Sequence, residues 1–296
     1  MVHSATFYLR LFVLALVGLF ATVPARADEK PASLEETPMP VASVASFLES
    51  QAPKVIAHRG FSGQAPENTL VAIRQAIEIG ADMVEIDVTL TRDGHVIVLH
   101  DETLERTTDG GGAALETQLA DIQKLDAGSW FDARYAGEKV PTLQEVLDLV
   151  TDRILLNIEI KHEAVTDAVE GGIAQKVHRL VAESGRAEQV IVSSFDPRPL
   201  ARLRELGSPL ATASLYAVRL HSGLLPSDIT AQVGSVAFNV SGRHLDEAML
   251  ENAKAHGIPV QVYTVNEIKD MERLLEVGVV ALFTDHPDRM LRLLSR

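Results

Sequence analysis

The chain has 296 residues, no cysteine, 27 basic against 41 acidic side chains and a formal net charge of −14. The missing cysteine excludes disulfides, thiolate nucleophiles and sulfur metal ligands. The acidic balance argues against nucleic acid and against electrostatic binding to anionic membranes, while leaving room for a local basic pocket.

Residues 1–27 read as a secretory signal peptide. Arg10 closes a weakly basic start, an apolar core runs from Leu11 to Val23, and Ala25-Arg26-Ala27 fits a small-residue cleavage site. That core is shorter than the roughly 20 residues a spanning helix needs, so no stable membrane insertion is expected after cleavage. The mature protein is expected to start near Asp28 and to be exported, in the first place to the periplasm. Its length then matches the roughly 250 residues of one (β/α)8 barrel. Residues 28–53 are rich in Pro, Ala, Ser and Glu and read as a solvated leader, with a helical turn around 41–49.

From Lys54 the pattern is strand, loop, helix: KVIAHRG ends in His58-Arg59-Gly60, and LVAIRQAIEIG carries helical spacing closed by Gly80. The next stretch, Met83 to Asp101, organises the chain. Glu85 and Asp87 lie two apart in an apolar, β-branched strand and leave the same face. Asp93-Gly94 is a hairpin signal, and HVIVLH is the returning strand. A two-residue loop pairs Arg92 with His95 and sets His100 opposite Asp87, whereas a three-residue loop sets Leu99 there. The first register is expected.

Residues 102–140 are polar and Gly-rich, too long for an ordinary loop, and read as an insertion with a short helix at LETQLADIQKL. Trp130 and Phe131 are expected to form its mini-core, and Gly110 to Gly112 a turn rather than a phosphate loop. Helices and strands then alternate: helix 142–150, strand 154–161, helix 169–185, strand 189–195, helix 197–207 and strand 210–217. An irregular segment containing PSDI follows, then strand 235–240, helix 244–257, strand 259–265, helix 267–278, strand 279–285 and a final helix. A tight turn joins antiparallel strands, so HVIVLH is a ribbon at the mouth and the other strands form an α/β barrel of the (β/α)8 type.

In such barrels the chemistry sits at the carboxyl ends of the strands, where His58, Arg59, Glu85, Asp87, Glu159, Lys161, Phe195, Tyr263 and Asp285 all fall. Glu85, Asp87 and Glu159 form an all-oxygen set suited to Mg²⁺ or Ca²⁺. Arg59 and Lys161 can hold an anion, and a metal with two cations suggests phosphate. His58 and His100 are candidates for general acid and base. Each histidine taken alone is more often structural, and Phe195 and Tyr263 are more often core aromatics than a substrate platform.

The segments AHRGFSGQAPENT, VEIDVTLTRDGHVIVLHDETLERTT, LNIEIK, YTVN and FTDHPD together resemble the glycerophosphodiester phosphodiesterase family, over residues 54 to 288. The resemblance implies a (β/α)8 barrel with a small insertion near the mouth. It also implies hydrolysis of glycerophosphodiesters, such as glycerophosphocholine and glycerophosphoethanolamine, to sn-glycerol 3-phosphate and an alcohol with a divalent cation. On it, His58 and His100 become the acid–base pair, Arg59 the phosphate ligand, Lys161 a neighbour of the phosphate, and Glu85, Asp87 and Glu159 the metal ligands. Phe195 and Tyr263 become substrate contacts. It further implies attack of the neighbouring glycerol hydroxyl on phosphorus, with a cyclic phosphate hydrolysed afterwards. Two departures stand out: Tyr263 occupies a place where many relatives carry Trp, and VVALFTD is less Gly-rich than usual. A lipid phosphodiesterase acting on lysophospholipids is the nearest rival, favoured by an exposed hydrophobic rim. An amidohydrolase would need His-x-His where this chain has His58-Arg59-Gly60, and a non-catalytic exported binding protein would have little use for so many buried charges.

Overall fold

The computed structural model describes residues 42–167 and 170–296. The expected signal peptide and most of the leader lie outside the described residues. Helix α1 (Val44–Leu48) precedes β1 (Lys54–Ala57), α2 (Leu70–Glu78), β2 (Met83–Leu90) and β3 (Val96–Val98). After α3 (Leu119–Ile122) come α4 (Leu143–Val150), β4 (Leu155–Ile160), α5 (Ile173–Ser184), β5 (Val190–Ser194), α6 (Pro197–Glu205) and β6 (Ala211–Leu215). The chain continues through α7 (Val218–His221), α8 (Pro226–Val233), β7 (Ala237–Ser241), α9 (Glu247–Ala255), β8 (Val260–Tyr263), α10 (Ile268–Glu276), β9 (Ala281–Thr284) and α11 (Pro287–Leu293). No helix of the described residues is long and apolar enough to cross a membrane.

The strands form at short apolar runs, β-branched in β1, β2 and β5, and their parallel ladder closes. β1 pairs with both β2 and β9, and the order continues through β8, β7, β6, β5 and β4 back to β2. Among the described strands only β3 stands outside the ring, antiparallel to β2. This is the expected barrel with a ribbon at its mouth. Outward-facing residues such as Val84, Ile86, Ile158 and Val192 pack on the surrounding helices. Inward-facing Ile56, Met83, Leu155, Ile191, Ala213, Ala237 and Ala281 fill the floor together with Val44, Phe47 and Leu48. The end of the supposed leader is therefore part of the barrel: α1 seals its amino-terminal end, and the burial of Phe47 alone contributes roughly 2–3 kcal/mol.

Helix ends follow their caps. Thr69 accepts from the Ala72 N–H at the start of α2, Thr142 and Glu145 form a reciprocal capping box on α4, and Gly185 closes α5 at φ 72°. The segment around PSDI, expected to be irregular, contains α8. Pro226 opens that helix and Gly234, at φ 77°, ends it.

The hairpin register departs from the expected one. Val88 faces Val98 and Leu90 faces Val96, so Thr91 meets His95 across a three-residue loop. The physical reason lies outside the turn: the Arg92 N–H donates to the Thr117 carbonyl of the insertion and is unavailable to His95. Gly94 takes φ 80° at the end of the loop, and Thr91 and Asp93 brace it through a 2.7 Å hydrogen bond. Leu99 therefore stands opposite Asp87, its N–H donating to the Asp87 carbonyl. The ladder stops there, so His100 is released from the alternation of faces and still reaches the mouth. In the insertion, the mini-core is aliphatic, built on Ile97, Leu99, Leu104, Ile122 and Val140. Trp130 and Phe131 are not in it. They form an edge-to-face row with Tyr135, whose hydroxyl donates to the Gln64 carbonyl and pins the insertion to the loop before α2.

Candidate active site

β1 delivers His58 and Arg59 to the mouth, and the chain turns sharply there. Arg59 adopts φ 56°, uncommon for a residue with a side chain, and Gly60 follows at φ 82°. A Cβ on Gly60 would lie 2.6 Å from the Ala72 carbonyl carbon. Gly60→Ala is therefore expected to lose about 2–4 kcal/mol of stability in urea unfolding. A loss below about 0.5 kcal/mol would mean the turn relaxes freely. The turn aims the Arg59 N–H at Glu85 Oε2, 2.9 Å away.

β2 and β4 carry the acidic set. Glu85 and Asp87 are buried on the inward face, Asp87 is in register with Glu159, and ligand atoms of all three lie within 4.8 Å of one another. Lys161 Nζ stands 3.3 Å from Asp87 Oδ1 and 2.9 Å from Glu159 Oε1, and Arg59 Nε is 3.2 Å from Asp87 Oδ2. Asn68 donates to Asp87 Oδ2 at 2.9 Å and accepts from the Asp87 N–H. Burial opposes the Asp87 charge, but Lys161 and Arg59 hold its carboxyl far below the usual range. Glu85 fares differently: burial first, and the Asp87 charge second, push it up to about 8. Its Oε1 atom is buried without a hydrogen-bond partner. Three convergent carboxylates with one orphaned oxygen fit a hard divalent cation. A second acidic group, Glu102 with His162 and Glu163, sits at the mouth with two of its three members exposed.

Both histidines are backed by carboxylates. His58 Nδ1 is 2.7 Å from Asp285 Oδ1, and His100 Nδ1 is 2.6 Å from Asp101 Oδ1. Asp285, at the end of β9, is itself held by Asn266 at 2.6 Å and Ser62 at 3.0 Å. These carboxylates accept from a proton held on each Nδ1 and leave each Nε2 for proton transfer. Burial lowers the His58 pKa, but the hydrogen bond to Asp285 and the charge of that carboxylate outweigh it and the net shift is upward.

His58, Arg59, Glu85, His100, Glu159 and Lys161 line one side of a cavity of about 200 Å³, with Phe195, Leu215, Tyr263 and Phe283 on the other. Phe195 and Phe283 each meet Tyr263 edge to face, at 5.8 and 6.3 Å between centroids. Every residue singled out in the sequence thus converges, with Asp87 set behind the cavity as the partner of Lys161 and Arg59. The carboxylates Asp285 and Asp101, with Asn68, Glu67, Arg106 and Asn266, received no role from sequence. The signal was present for Asp101, which directly follows a candidate catalytic histidine.

The model of the glycerophosphoryl diester phosphodiesterase family matches residues 58–289. The chain belongs to that family. Its members are phosphoric diester hydrolases. The glycerophosphodiester phosphodiesterase of Caldanaerobacter subterraneus subsp. tengcongensis is 38% identical over 244 residues, covering 82% of this chain and 98% of its own length. That of Bacillus subtilis is 35% identical over 263 residues, covering 85% of this chain and 90% of its own. Among solved structures of the same fold, an Oleispira antarctica phosphodiesterase in complex with the product sn-glycerol 3-phosphate is similar to this chain. It superposes with a TM-score of 0.72 at 31% identity, covering 82% of this chain and 96% of that one. The family is generally divalent-metal dependent, in keeping with the acidic trio.

Proposed function

We propose that this chain is an exported, divalent-cation-dependent phosphodiesterase that hydrolyses glycerophosphodiesters to sn-glycerol 3-phosphate and an alcohol. One observation carries the reading: two carboxylate-backed histidines, two cationic side chains and two carboxylates of the acidic trio, Glu85 and Glu159, face a single cavity, with Asp87 directly behind them. Family membership and the product-bound Oleispira relative support it.

Arg59 and Lys161 bind the diester phosphate, and the wall of Phe195, Leu215, Tyr263 and Phe283 packs against the uncharged part of the substrate. Nε2 of one histidine takes the proton from the glycerol hydroxyl next to the ester as that oxygen attacks phosphorus. The other histidine protonates the departing alcohol oxygen, and a cyclic phosphate remains. Water then opens the ring with the proton transfers reversed, giving sn-glycerol 3-phosphate. Glu85, Asp87 and Glu159 would hold the cation, Mg²⁺ or Ca²⁺, which when bound supplies positive charge that offsets the negative charge gathering on the phosphate oxygens.

A specific observation keeps a second reading in view. α7 follows the carboxyl end of β6, and its Val218 and Leu220 are 48% and 58% exposed, an apolar lip suited to the chain of a lysophospholipid. One substrate panel decides between them. Protein beginning at Asp28 is incubated with glycerophosphocholine, glycerophosphoethanolamine and lysophosphatidylcholine, first in chelator and then with Ca²⁺ or Mg²⁺ restored. Release of glycerol 3-phosphate from the two water-soluble diesters, lost in chelator and absent from His58→Ala, is the expected result. Turnover of the lysolipid alone would replace the first reading with the second, and no turnover of any diester would remove both.

A further inference from the structure

His100 stands beyond the last hydrogen bond of the hairpin, the one from the Leu99 N–H to the Asp87 carbonyl, so no ladder fixes it. Asp101 orients its ring, but Asp101 rides on the same loop and cannot by itself hold that loop against the barrel. The anchor comes from elsewhere. Arg106 forks to two carboxylates at once: Nη1 and Nη2 donate to Glu67 Oε2 and Oε1 at 2.9 and 2.8 Å. Its Nε and Nη2 donate to the two oxygens of Asp101, the second at 3.0 Å. Glu67, on the loop between β1 and α2, also accepts from Arg59 Nη1 at 2.8 Å. One unbroken chain of charge-assisted hydrogen bonds therefore runs Arg59–Glu67–Arg106–Asp101–His100.

The Arg106 side chain is 44% exposed and Glu67 13%. A half-exposed pair of this kind contributes little to stability, about 1 kcal/mol or less. What a planar, doubly bidentate guanidinium does supply is orientation. Burial pushes the Glu67 carboxyl up, yet Arg106 and Arg59 more than offset it and leave it ionised, as the bridge requires.

We propose that Glu67 and Arg106 are positioning residues, a relay that fixes the His100 loop and the Arg59 guanidinium relative to each other across the mouth. The relay rests on the reading of Arg59 as phosphate ligand and His100 as proton carrier. It accounts for an arginine and a glutamate that do not line the cavity themselves and reach it only through Arg59 and Asp101.

The test uses the full chain with cation, the variants Arg106→Lys and Glu67→Gln, and their combination. Lysine keeps the charge but not the fork, so Arg106→Lys is expected to lower kcat at least about tenfold with KM for glycerophosphocholine changed less than about threefold. Glu67→Gln loosens both ends and is expected to lower kcat and raise KM together. Adding Arg106→Lys to Glu67→Gln should then cost much less than it does in the wild type, because the bridge is already open. Thermal midpoints should stay within a few degrees. A kcat within twofold of wild type, or effects that simply multiply in the double variant, would overturn the relay, as would kinetic losses that only track a falling midpoint. A readout independent of turnover is the ¹⁵N spectrum of the histidine ring, assigned with His100→Asn. Wild type should show one sharp His100 ring signal, and Arg106→Lys a His100 signal broadened by motion of the released loop. If the wild type leaves glycerophosphocholine intact, the reaction reading fails, and the ring spectrum still decides the relay: an unchanged line width in Arg106→Lys overturns it.

Discussion

Asp285→Asn is expected to lower kcat by roughly 10²- to 10⁴-fold while leaving the fold intact. The Asp285 carboxylate accepts from His58 Nδ1, from Asn266 and from Ser62, so all of its close partners are donors. An asparagine there must turn its NH₂ toward one of them. Facing His58, it would demand the opposite tautomer and place a proton on the Nε2 atom that the first proton transfer needs free. The pH dependence should shift as well. The Asp285 hydrogen bond raises the His58 pKa against burial and the Arg59 charge, so the limb of the rate profile that reports His58 should move to lower pH in the variant.

Stability carries the same signature, best measured in chelator. His58 has a folded pKa above its ordinary 6.5, so its contribution is complete below that value and fades as pH rises through the folded pKa. Asp285 has a folded pKa below its ordinary 3.8, so its contribution is present above that value and is lost as pH falls through the folded pKa. The two overlap between about pH 4 and 6.5, and there Asp285→Asn should destabilise most. Thermal midpoints at pH 5.5 and pH 9 test this. A deficit equal at both, or a kcat within tenfold of wild type, would remove Asp285 from the proton-transfer machinery.

What the sequence disclosed, and what it withheld, follows from the range of the interactions involved. The barrel strands are short apolar runs, several of whose ends carry charges, a local pattern, and the (β/α)8 barrel followed from them with the hairpin set aside as a ribbon. The convergence of His58, Arg59, Glu85, Glu159 and Lys161 followed from the rule that strand ends share a rim. The hairpin register did not follow, because the bond that decides it joins Arg92 to Thr117 in the insertion, beyond the reach of turn chemistry. The role of Asp285 was hidden for the same reason, 227 residues from His58 along the chain. α1 carries too few residues to show a periodicity, and its place under the barrel depends on a floor that seven strands build together. The Glu67–Arg106 bridge was concealed differently. Both residues lie inside stretches that carried the family resemblance, but an ion pair between two loops leaves no spacing to read.

Cation binding should release about one proton and strengthen about tenfold per pH unit between pH 6 and 8, levelling off above that. The cause is Glu85. Burial and the neighbouring Asp87 push its carboxyl up to about 8, so at neutral pH without cation it carries a proton that a divalent ion must displace. The sign for folding is the reverse of the usual carboxylate case. The folded chain binds this proton more tightly than the unfolded one, so cation-free stability should fall as pH rises from about 4.5 toward 8, and added cation should restore it. Glu85→Gln separates the two effects, because its amide oxygen can still accept from the Arg59 N–H but is never charged. That variant is expected to be more stable than wild type at pH 8 in chelator, to show no cation-dependent rise in thermal midpoint, and to be inactive. Titration calorimetry at pH 7 in buffers of different ionisation enthalpy counts the proton directly. Cation affinity independent of pH above 6, with no proton released, would mean Glu85 is already ionised in the empty trio. Lys161 and Arg59 would then balance all three carboxylates without help. The expected result instead makes the trio a destabilising element of the fold that is held in place for its ligand, as sites built from like charges commonly are.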